Sequence, residues 1–351
     1  MTKNILVAPL NWGLGHATRC IPIIAALENH GYTPILASDG VALALLKKEF
    51  PHLLALELPS YDIKYPKKAR NFMWKMLMNT PKTLIAMESE KKRVHKWIAE
   101  YQLDGIISDN RLGVHSKKVP SVFITHQLTV LSGKTTWLTS KLHQFYIKKF
   151  NECWVPDSKN IPNLSGKLGH LENTTLNIKY IGALSRLQKQ EIPIIYDIMV
   201  LLSGPEPQRT LLEMKIIEEL KEATEKIVFI KGKIEAIQTV EQIGNITFYN
   251  FMQTKQLEKT LNESMIVLCR SGYTTMMDLA KLEKKALLIP TPGQFEQEFL
   301  AKKFKQEGIL PMVKQNRFKR EAIYSVSLYP GLPKVATASD WLDLFNLFKG
   351  K

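Results

Sequence analysis

Residues 265–301 read MIVLCRSGYTTMMDLAKLEKKALLIPTPGQFEQEFLA. Met265 to Cys269 is a short apolar run of the kind buried in a parallel sheet. It breaks at Arg270-Ser271-Gly272, and a helical stretch begins there. A second apolar run, Ala286 to Ile289, leads through Pro290-Thr291-Pro292-Gly293 into another helix start at Gln294. Strand, helix, strand, helix in this order specifies parallel strands joined by right-handed crossovers.

The same alternation extends toward the N-terminus. Asp197 to Leu202 reads as a strand, followed by a Gly/Pro turn and a helix from about Thr210 to Lys221. Lys226 to Lys231 and Ile246 to Tyr249 read as further strands. A separate series opens the chain. Ile5 to Ala8 is a strand, and Ile21, Ile24, Ala25 and Leu27 form a helical stripe that stops at Gly31. Thr33 to Ser38, Gly105 to Ser108 and Ser121 to Ile124 are strands again. Arg186 to Pro193 is polar and lies between the two series. The predicted fold class is α/β, with two Rossmann-like doubly wound parallel-sheet domains and an interdomain cleft. The predicted domains are residues 1–182 and 183–336. Residues 337–351 form an amphipathic helix expected to pack back across them. Its apolar face is Trp341, Leu344, Phe345 and Phe348, and Thr337 and Asp340 fit a capping box.

The 351 residues suit two domains of ordinary size, and 45% hydrophobic with 23% charged residues marks a globular chain. Cys20, Cys153 and Cys269 are scattered and match neither a disulfide framework nor a zinc motif, so a reduced cytoplasmic compartment is expected. No stretch approaches the ~18 apolar residues of a membrane span. The net charge is +15, and the excess is densest from Lys64 to Lys96, with ten basic and two acidic residues. Phe72, Met73, Trp74, Met76, Leu77 and Met78 are interleaved there. This mixture suits either an interfacial helix on an anionic membrane surface or a core helix with a basic outer face. No RNA- or DNA-binding module accompanies the charge, so no nucleic-acid partner is expected.

Two turns carry candidate chemistry. Asn11-Trp12-Gly13-Leu14-Gly15-His16 follows the first strand, and Gly13 and Gly15 let backbone approach a ligand at a helix start. Thr18 stands where a dinucleotide-binding turn wants a third small residue, yet Asp39 ends the next strand where a ribose-binding acid would sit. An NAD-dependent enzyme therefore stays open as an alternative. His16 is placed to act as a base, or else to bond local backbone. In the second turn Ser271 and Gly272 offer free N–H groups and a hydroxyl at a helix N-terminus, where a diphosphate is favoured. Asp278 lies one to two turns on, positioned for ribose hydroxyls. Gln294 and Gln297 share a helix face beside Glu296 and can read sugar hydroxyls. Gly204 and Arg209, in Leu202-Ser203-Gly204-Pro205-Glu206-Pro207-Gln208-Arg209, form a second phosphate-sized turn with a cation. Asp109, Asn110, Arg111 and His126 follow predicted strands and are acceptor-side candidates. Caps and plain turns explain each of these residues singly, and the ordered set less well.

Val267-Leu268-Cys269-Arg270-Ser271-Gly272, then Asp278-Leu279-Ala280, Leu288-Ile289-Pro290, Gln297 and Ala301 resemble the donor domain of the MurG family, the N-acetylglucosaminyltransferases that make lipid II. Gly13-Leu14-Gly15-His16, Val119-Pro120-Ser121-Val122 with His126-Gln127, and Gly182-Ala183-Leu184-Ser185-Arg186 resemble further segments of that family, in the same order. The chain departs from the family at Trp12, at the loop after Leu202 and between 60 and 100, so a relative is expected and not MurG itself. The resemblance implies a GT-B glycosyltransferase in the cell envelope pathway class. It would move a hexosyl or N-acetylhexosaminyl group from a UDP-linked or other nucleotide-diphosphate sugar to the hydroxyl of a saccharide or lipid-linked acceptor, with inversion. It places Ser271 and Gly272 at the diphosphate, Asp278 at the ribose, Gln297 with Gln294 and Glu296 at the sugar, Arg186 near the phosphates and His16 beside the acceptor. The chain has no Asp-x-Asp pair, so metal-independent transfer with no cofactor is expected, peripheral to the inner face of the membrane. A nucleotide-sugar hydrolase or epimerase on the same fold is the alternative.

Overall fold

The computed structural model describes residues 2–61, 72–233, 235–334 and 340–350, with the side chains of 72–81 also outside the description. The chain forms two compact units. The first runs to Arg186 and takes in the residues after Lys334, and the second is Leu187–Lys334.

In the first unit the strands are β1 (Lys3–Pro9), β2 (Tyr32–Ser38), β3 (Ala55–Glu57), β4 (Leu103–Asp109), β5 (Ser121–Ile124), β6 (Glu152–Val155) and β7 (Ile178–Tyr180). They form one parallel sheet in the order β3-β2-β1-β4-β5-β6-β7. The helices are α1 (Gly15–Asn29), α2 (Gly40–Glu49), α3 (Phe72–Glu100) and α4 (Thr136–Ile147). Ile5, Leu6, Val7 and Ala8 are wholly buried, as covered faces on both sides of a parallel strand require. α1 stops because Gly31 takes φ +79, a left-handed C-terminal position that glycine adopts freely.

α3 accounts for part of the basic segment. Residues 62–71 and the side chains to 81 lie outside the described residues. Further along, Ala86, Met87, Val94 and Trp97 are buried, and Val94 and Trp97 pack against Leu6, Ile35 and Ile106 of the sheet. That half of α3 is a core helix.

The second unit holds β8 (Tyr196–Leu201), β9 (Ile227–Ile230), β10 (Val240–Ile243), β11 (Ile246–Tyr249), β12 (Ser264–Cys269) and β13 (Lys285–Leu288). Their order is β10-β11-β9-β8-β12-β13, parallel except for the β10–β11 hairpin. Its helices are α5 (Gln208–Leu220), α6 (Thr254–Asn262), α7 (Tyr273–Lys281) and α8 (Phe295–Gln306). Val200, Leu212, Ile216, Phe229, Leu268 and Phe318 lie in its apolar core.

The C-terminal helix is shorter than the sequence predicts. α9 is Trp341–Phe345 with a 3₁₀ turn at Asn346–Phe348, and Asp340 caps it through Leu342 N at 2.9 Å. Thr337 lies outside the described residues. The helix belongs to the first unit, where Lys3 Nζ donates to the Phe348 carbonyl at 2.7 Å and Tyr32 Oη to the Phe345 carbonyl at 3.2 Å. Phe348 sits on Gly105 of β4 so closely that a Cβ there would meet its ring.

Candidate functional site

In each sheet the strand order reverses once, and the candidate residues gather at that point, at the carboxyl ends of the strands. Open α/β sheets bind ligands at such switch points. In the first sheet the point lies between β1 and β4, and in the second between β8 and β12.

Asp109, the last residue of β4, is fully buried. Its Oδ1 lies 2.9 Å from His16 Nδ1, and Arg19 Nε donates to its Oδ2 at 2.5 Å. Arg19 Nη2 also pairs with Oδ1 and lies 2.9 Å from His16 Nδ1. His16 and Arg19 are three apart on α1 and so share its face. Arg19 Nη1 reaches His126 Nδ1 at 3.1 Å, which brings in the end of β5. The His16 side chain is 12% exposed. Nδ1 faces both the Asp109 carboxylate, which favours a proton there, and an Arg19 N–H, which favours a lone pair; with the proton on Nδ1, Nε2 is the acceptor. Burial pushes the His16 pKa down; Asp109 opposes this and Arg19 adds to the lowering. Burial pushes the Asp109 carboxyl up, but Arg19 and His16 outweigh it and hold it well below the usual carboxylate range. The result is a neutral imidazole backed by a charged carboxylate at neutral pH. Gly13, with φ +76 and nothing within 4 Å of a Cβ, keeps the turn before α1 open, and α1 begins at Gly15.

Arg111 and Asn110 are placed otherwise than an acceptor role would suggest. Arg111 is buried. Its Nε donates to the Pro9 carbonyl at 2.9 Å and its Nη1 to Glu90 Oε1 at 2.7 Å, and Nη2 pairs with Asp39. This network ties β1, β4, α2 and α3 together, and it is a framework. It also takes up Asp39, the acid that a ribose-binding reading needs. Asn110 has φ 59 and donates its backbone N–H to the Ile124 carbonyl at 3.3 Å, which makes the sharp turn that delivers Asp109. Arg186 belongs to the first unit, with Glu49 3.5 Å away.

At the end of the second sheet, Gly272 is the N-cap of α7, and a Cβ on it would meet only Thr275 Oγ1 at 3.9 Å. Gly204 takes φ +99, and a Cβ there would lie 3.8 Å from Thr291 Oγ1. Thr291 Oγ1 is buried without a hydrogen-bond partner among the described residues. Ser271 Oγ donates to the Gln297 carbonyl at 2.7 Å, and Thr291 N donates to Gln297 Oε1 at 2.9 Å. Gln297 thus fastens the loops after β12 and β13 to each other. Gln294 Oε1 accepts from Gln297 N at 3.2 Å and caps α8. Glu296 and Asp278 are partly buried on the first turn of α8 and the second turn of α7. Arg209 is buried, with its guanidinium taken up by Glu206, Glu213 and the Lys231 carbonyl, so it holds the turn together and offers a phosphate little.

Three residues that the sequence pattern does not single out complete these ends: Arg19, Thr291 and Arg270. Arg270 Nη1 donates to the Ile289 carbonyl at 3.0 Å and to the Pro290 carbonyl at 3.2 Å, and Nη2 donates to the Gln208 carbonyl at 2.8 Å. Its Nε has no partner among the described residues, and burial lowers its pKa to about 10. It stays a cation at neutral pH, one residue before Ser271. A buried cation and a helix N-terminus at one strand end favour an anion there. Among the described residues no group of three or more His, Cys, Asp or Glu stands together as a metal site.

Residues 207–328 match the family model of the glycosyltransferase family 28 C-terminal domain. No curated protein matches the chain in sequence. Among solved structures, the chain is similar to the glycotransferase of kitacinnamycin (TM-score 0.64, 13% identity, 95% of this chain and 92% of that one). It is similar to Acinetobacter baumannii MurG (0.55, 12%, 93% and 91%). It is also similar to a putative UDP-N-acetylglucosamine 2-epimerase from Listeria monocytogenes (0.60, 10%, 99% and 90%). At these identities the structural likeness is one of fold, GT-B. The family 28 C-terminal domain at residues 207–328, on a chain of GT-B fold, identifies the protein as a glycosyltransferase.

Proposed function

We propose that the chain transfers a hexosyl or N-acetylhexosaminyl group from a nucleotide-diphosphate sugar, UDP-linked in the first instance, to the hydroxyl of a saccharide or lipid-linked acceptor. The second unit binds the donor. Ser271 and Gly272 N–H groups at the start of α7, the Thr291 hydroxyl and the field of Arg270 meet the diphosphate, and Asp278 meets the ribose. As the bond to the anomeric carbon breaks, negative charge grows on the leaving diphosphate. Fixed donors aimed at that charge stabilise it without a metal. In the first unit His16 Nε2 takes the acceptor proton while the oxygen attacks the anomeric carbon from the face opposite the leaving group, which inverts it. Asp109 stabilises the imidazolium that forms.

The observation that carries the reading is the Thr291 hydroxyl beside Gly204, buried with no partner among the described residues, at the strand ends where Gly272 leaves the start of α7 open. A buried hydroxyl without a partner costs about 1–3 kcal/mol unless something else bonds it.

The test is product analysis with a panel of nucleotide sugars, with and without saccharide and lipid extracts. Expected is release of a nucleoside diphosphate only when an acceptor is present, unaffected by EDTA, and lowered about 10²–10⁴-fold in His16→Ala. Free sugar or an epimerised donor without acceptor would instead identify a hydrolase or an epimerase.

A further inference from the structure

The turn between β1 and α1 is anchored at both ends and carries one exposed ring between the anchors. On the strand side, Ser38 Oγ and Arg111 Nε donate to the Pro9 carbonyl at 2.7 and 2.9 Å, and Leu10 N donates to the Asp109 carbonyl at 2.9 Å. Asn11 is clamped next. Its Nδ2 donates to Asp39 Oδ2 at 3.0 Å, and its Oδ1 accepts from Ala42 N at 3.4 Å. It packs so closely on Gly40 that a Cβ there would meet its amide. On the helix side, Thr18 N donates to the Leu14 carbonyl at 2.9 Å and Thr18 Oγ1 to the Gly15 carbonyl at 3.1 Å. Trp12 lies between these anchors, four residues before His16, and is 39% exposed.

A large ring held at a fixed place beside a reacting group is suited to ligand contact. Its neighbours decide what it meets. From Leu10 to Ala17 no other apolar side chain is exposed, and Asn11 and His16 flank the ring with polar atoms. A lone indole with a polar rim is too small for an acyl chain, which needs a contiguous apolar surface. It fits the flat face of a pyranose, whose C–H groups pack on an aromatic ring while its hydroxyls reach polar partners at the edge. Trp12 also stands where this turn departs from the MurG pattern, so the contact is this chain's own.

We propose that Trp12 is the platform for the acceptor: a pyranose stacks on the indole and so presents one hydroxyl to His16 Nε2. The inference rests on the transfer proposed above and names its acceptor as a sugar ring. It also gives the buried Arg111 a use in the reaction, because Arg111 pairs with Asp39 and Asp39 holds Asn11, the residue before Trp12.

The test has two arms on the full chain. In the first, methyl glycosides and disaccharides are added without donor, and tryptophan emission is followed. Expected is a saturable change with at least one sugar, lost in Trp12→Ala. In the second, transfer from a nucleotide sugar is measured. Trp12→Ala should raise the acceptor KM about tenfold and leave the donor KM unchanged, and Trp12→Phe should recover most of the loss. A merely structural role in the turn would move both KM values together. No emission change with any sugar, a change that survives Trp12→Ala, or transfer with an unchanged acceptor KM in Trp12→Ala overturns the inference and leaves the proposed transfer standing. Transfer only to alcohols without a sugar ring overturns it as well. A sugar-dependent emission change lost in Trp12→Ala, with no transfer to any acceptor, sinks the proposed transfer instead and keeps Trp12 as a sugar platform.

Discussion

Asp109 serves three neighbours with two oxygens: His16, Arg19 and the Cys20 thiol, whose Sγ lies 3.6 Å from Oδ2. If it fixes the tautomer of a catalytic base, Asp109→Asn should lower kcat by about 10²–10⁴-fold and leave nucleotide binding unchanged. The position of His16 on the pH scale follows from its neighbours. Its pKa is lowered, so the neutral base persists below pH 6.5 and the acid limb of kcat/KM should lie below that value. Removing the adjacent cation in Arg19→Met should raise the His16 pKa and move the limb to higher pH. A pH-rate profile that does not move would detach Arg19 from the base. At the donor end, Thr291→Val removes a hydroxyl that bonds nothing among the described residues. It should leave stability unchanged or slightly raised and weaken nucleoside diphosphate binding by about fivefold, the worth of one ordinary hydrogen bond of ~1 kcal/mol. At this scale the sequence shows Ser271 and Gly272 plainly, because a turn into a helix is a local pattern. Arg19 and Thr291 escape it, because their meaning depends on residues 90 positions away in one case and on a missing partner in the other. Arg111 and Arg209 show the converse. A cation in a suggestive turn reads as a ligand contact until the carboxylates of Glu90, Asp39, Glu206 and Glu213 appear around it.

Elements with a continuous apolar run are legible within a residue or two: Ser121 to Ile124 and Ile246 to Tyr249 are strands with the predicted bounds. β6 and β7 are not, since Glu152-Cys153-Trp154-Val155 and Ile178-Lys179-Tyr180 are too short and mixed to signal burial. β10 is wholly exposed and has only its hairpin partner to define it. α9 shows the limit of periodicity. The apolar spacing of Trp341, Leu344, Phe345 and Phe348 is real, but what holds the segment is the surface it meets. Phe345 stacks on Trp341 at 5.6 Å and meets Tyr32 edge-on at 5.5 Å. Phe345→Ala should destabilise the chain by about 3–5 kcal/mol, as wholly buried aromatic rings do. Denaturant unfolding of the full chain measures this, and a loss under about 1 kcal/mol would mean that α9 rests on the unit without stabilising it.

For the whole molecule, buried histidines set the response to acid. His143 has a buried Nε2 without a partner among the described residues and a pKa pushed down to about 4, and burial lowers His115 likewise to about 4. The unfolded chain takes up these protons near pH 6.5 and the folded chain near 4. Stability is therefore complete above pH 6.5 and falls as pH drops toward 4, with His143 alone contributing on the order of 3 kcal/mol. Asp109, held low in the fold, adds a further loss at still lower pH. His143→Phe should flatten the decline of melting temperature between pH 6.5 and 4, and an unchanged slope would assign the acid response elsewhere. The central claim, that the second unit is a nucleotide-sugar donor site, is tested most directly by calorimetric titration of the full chain with nucleoside diphosphates and with NAD, in EDTA. Expected is saturable binding of one nucleoside diphosphate, weakened in Asp278→Ala and in Thr291→Val. Binding of NAD alone, or of no nucleotide, would contradict it.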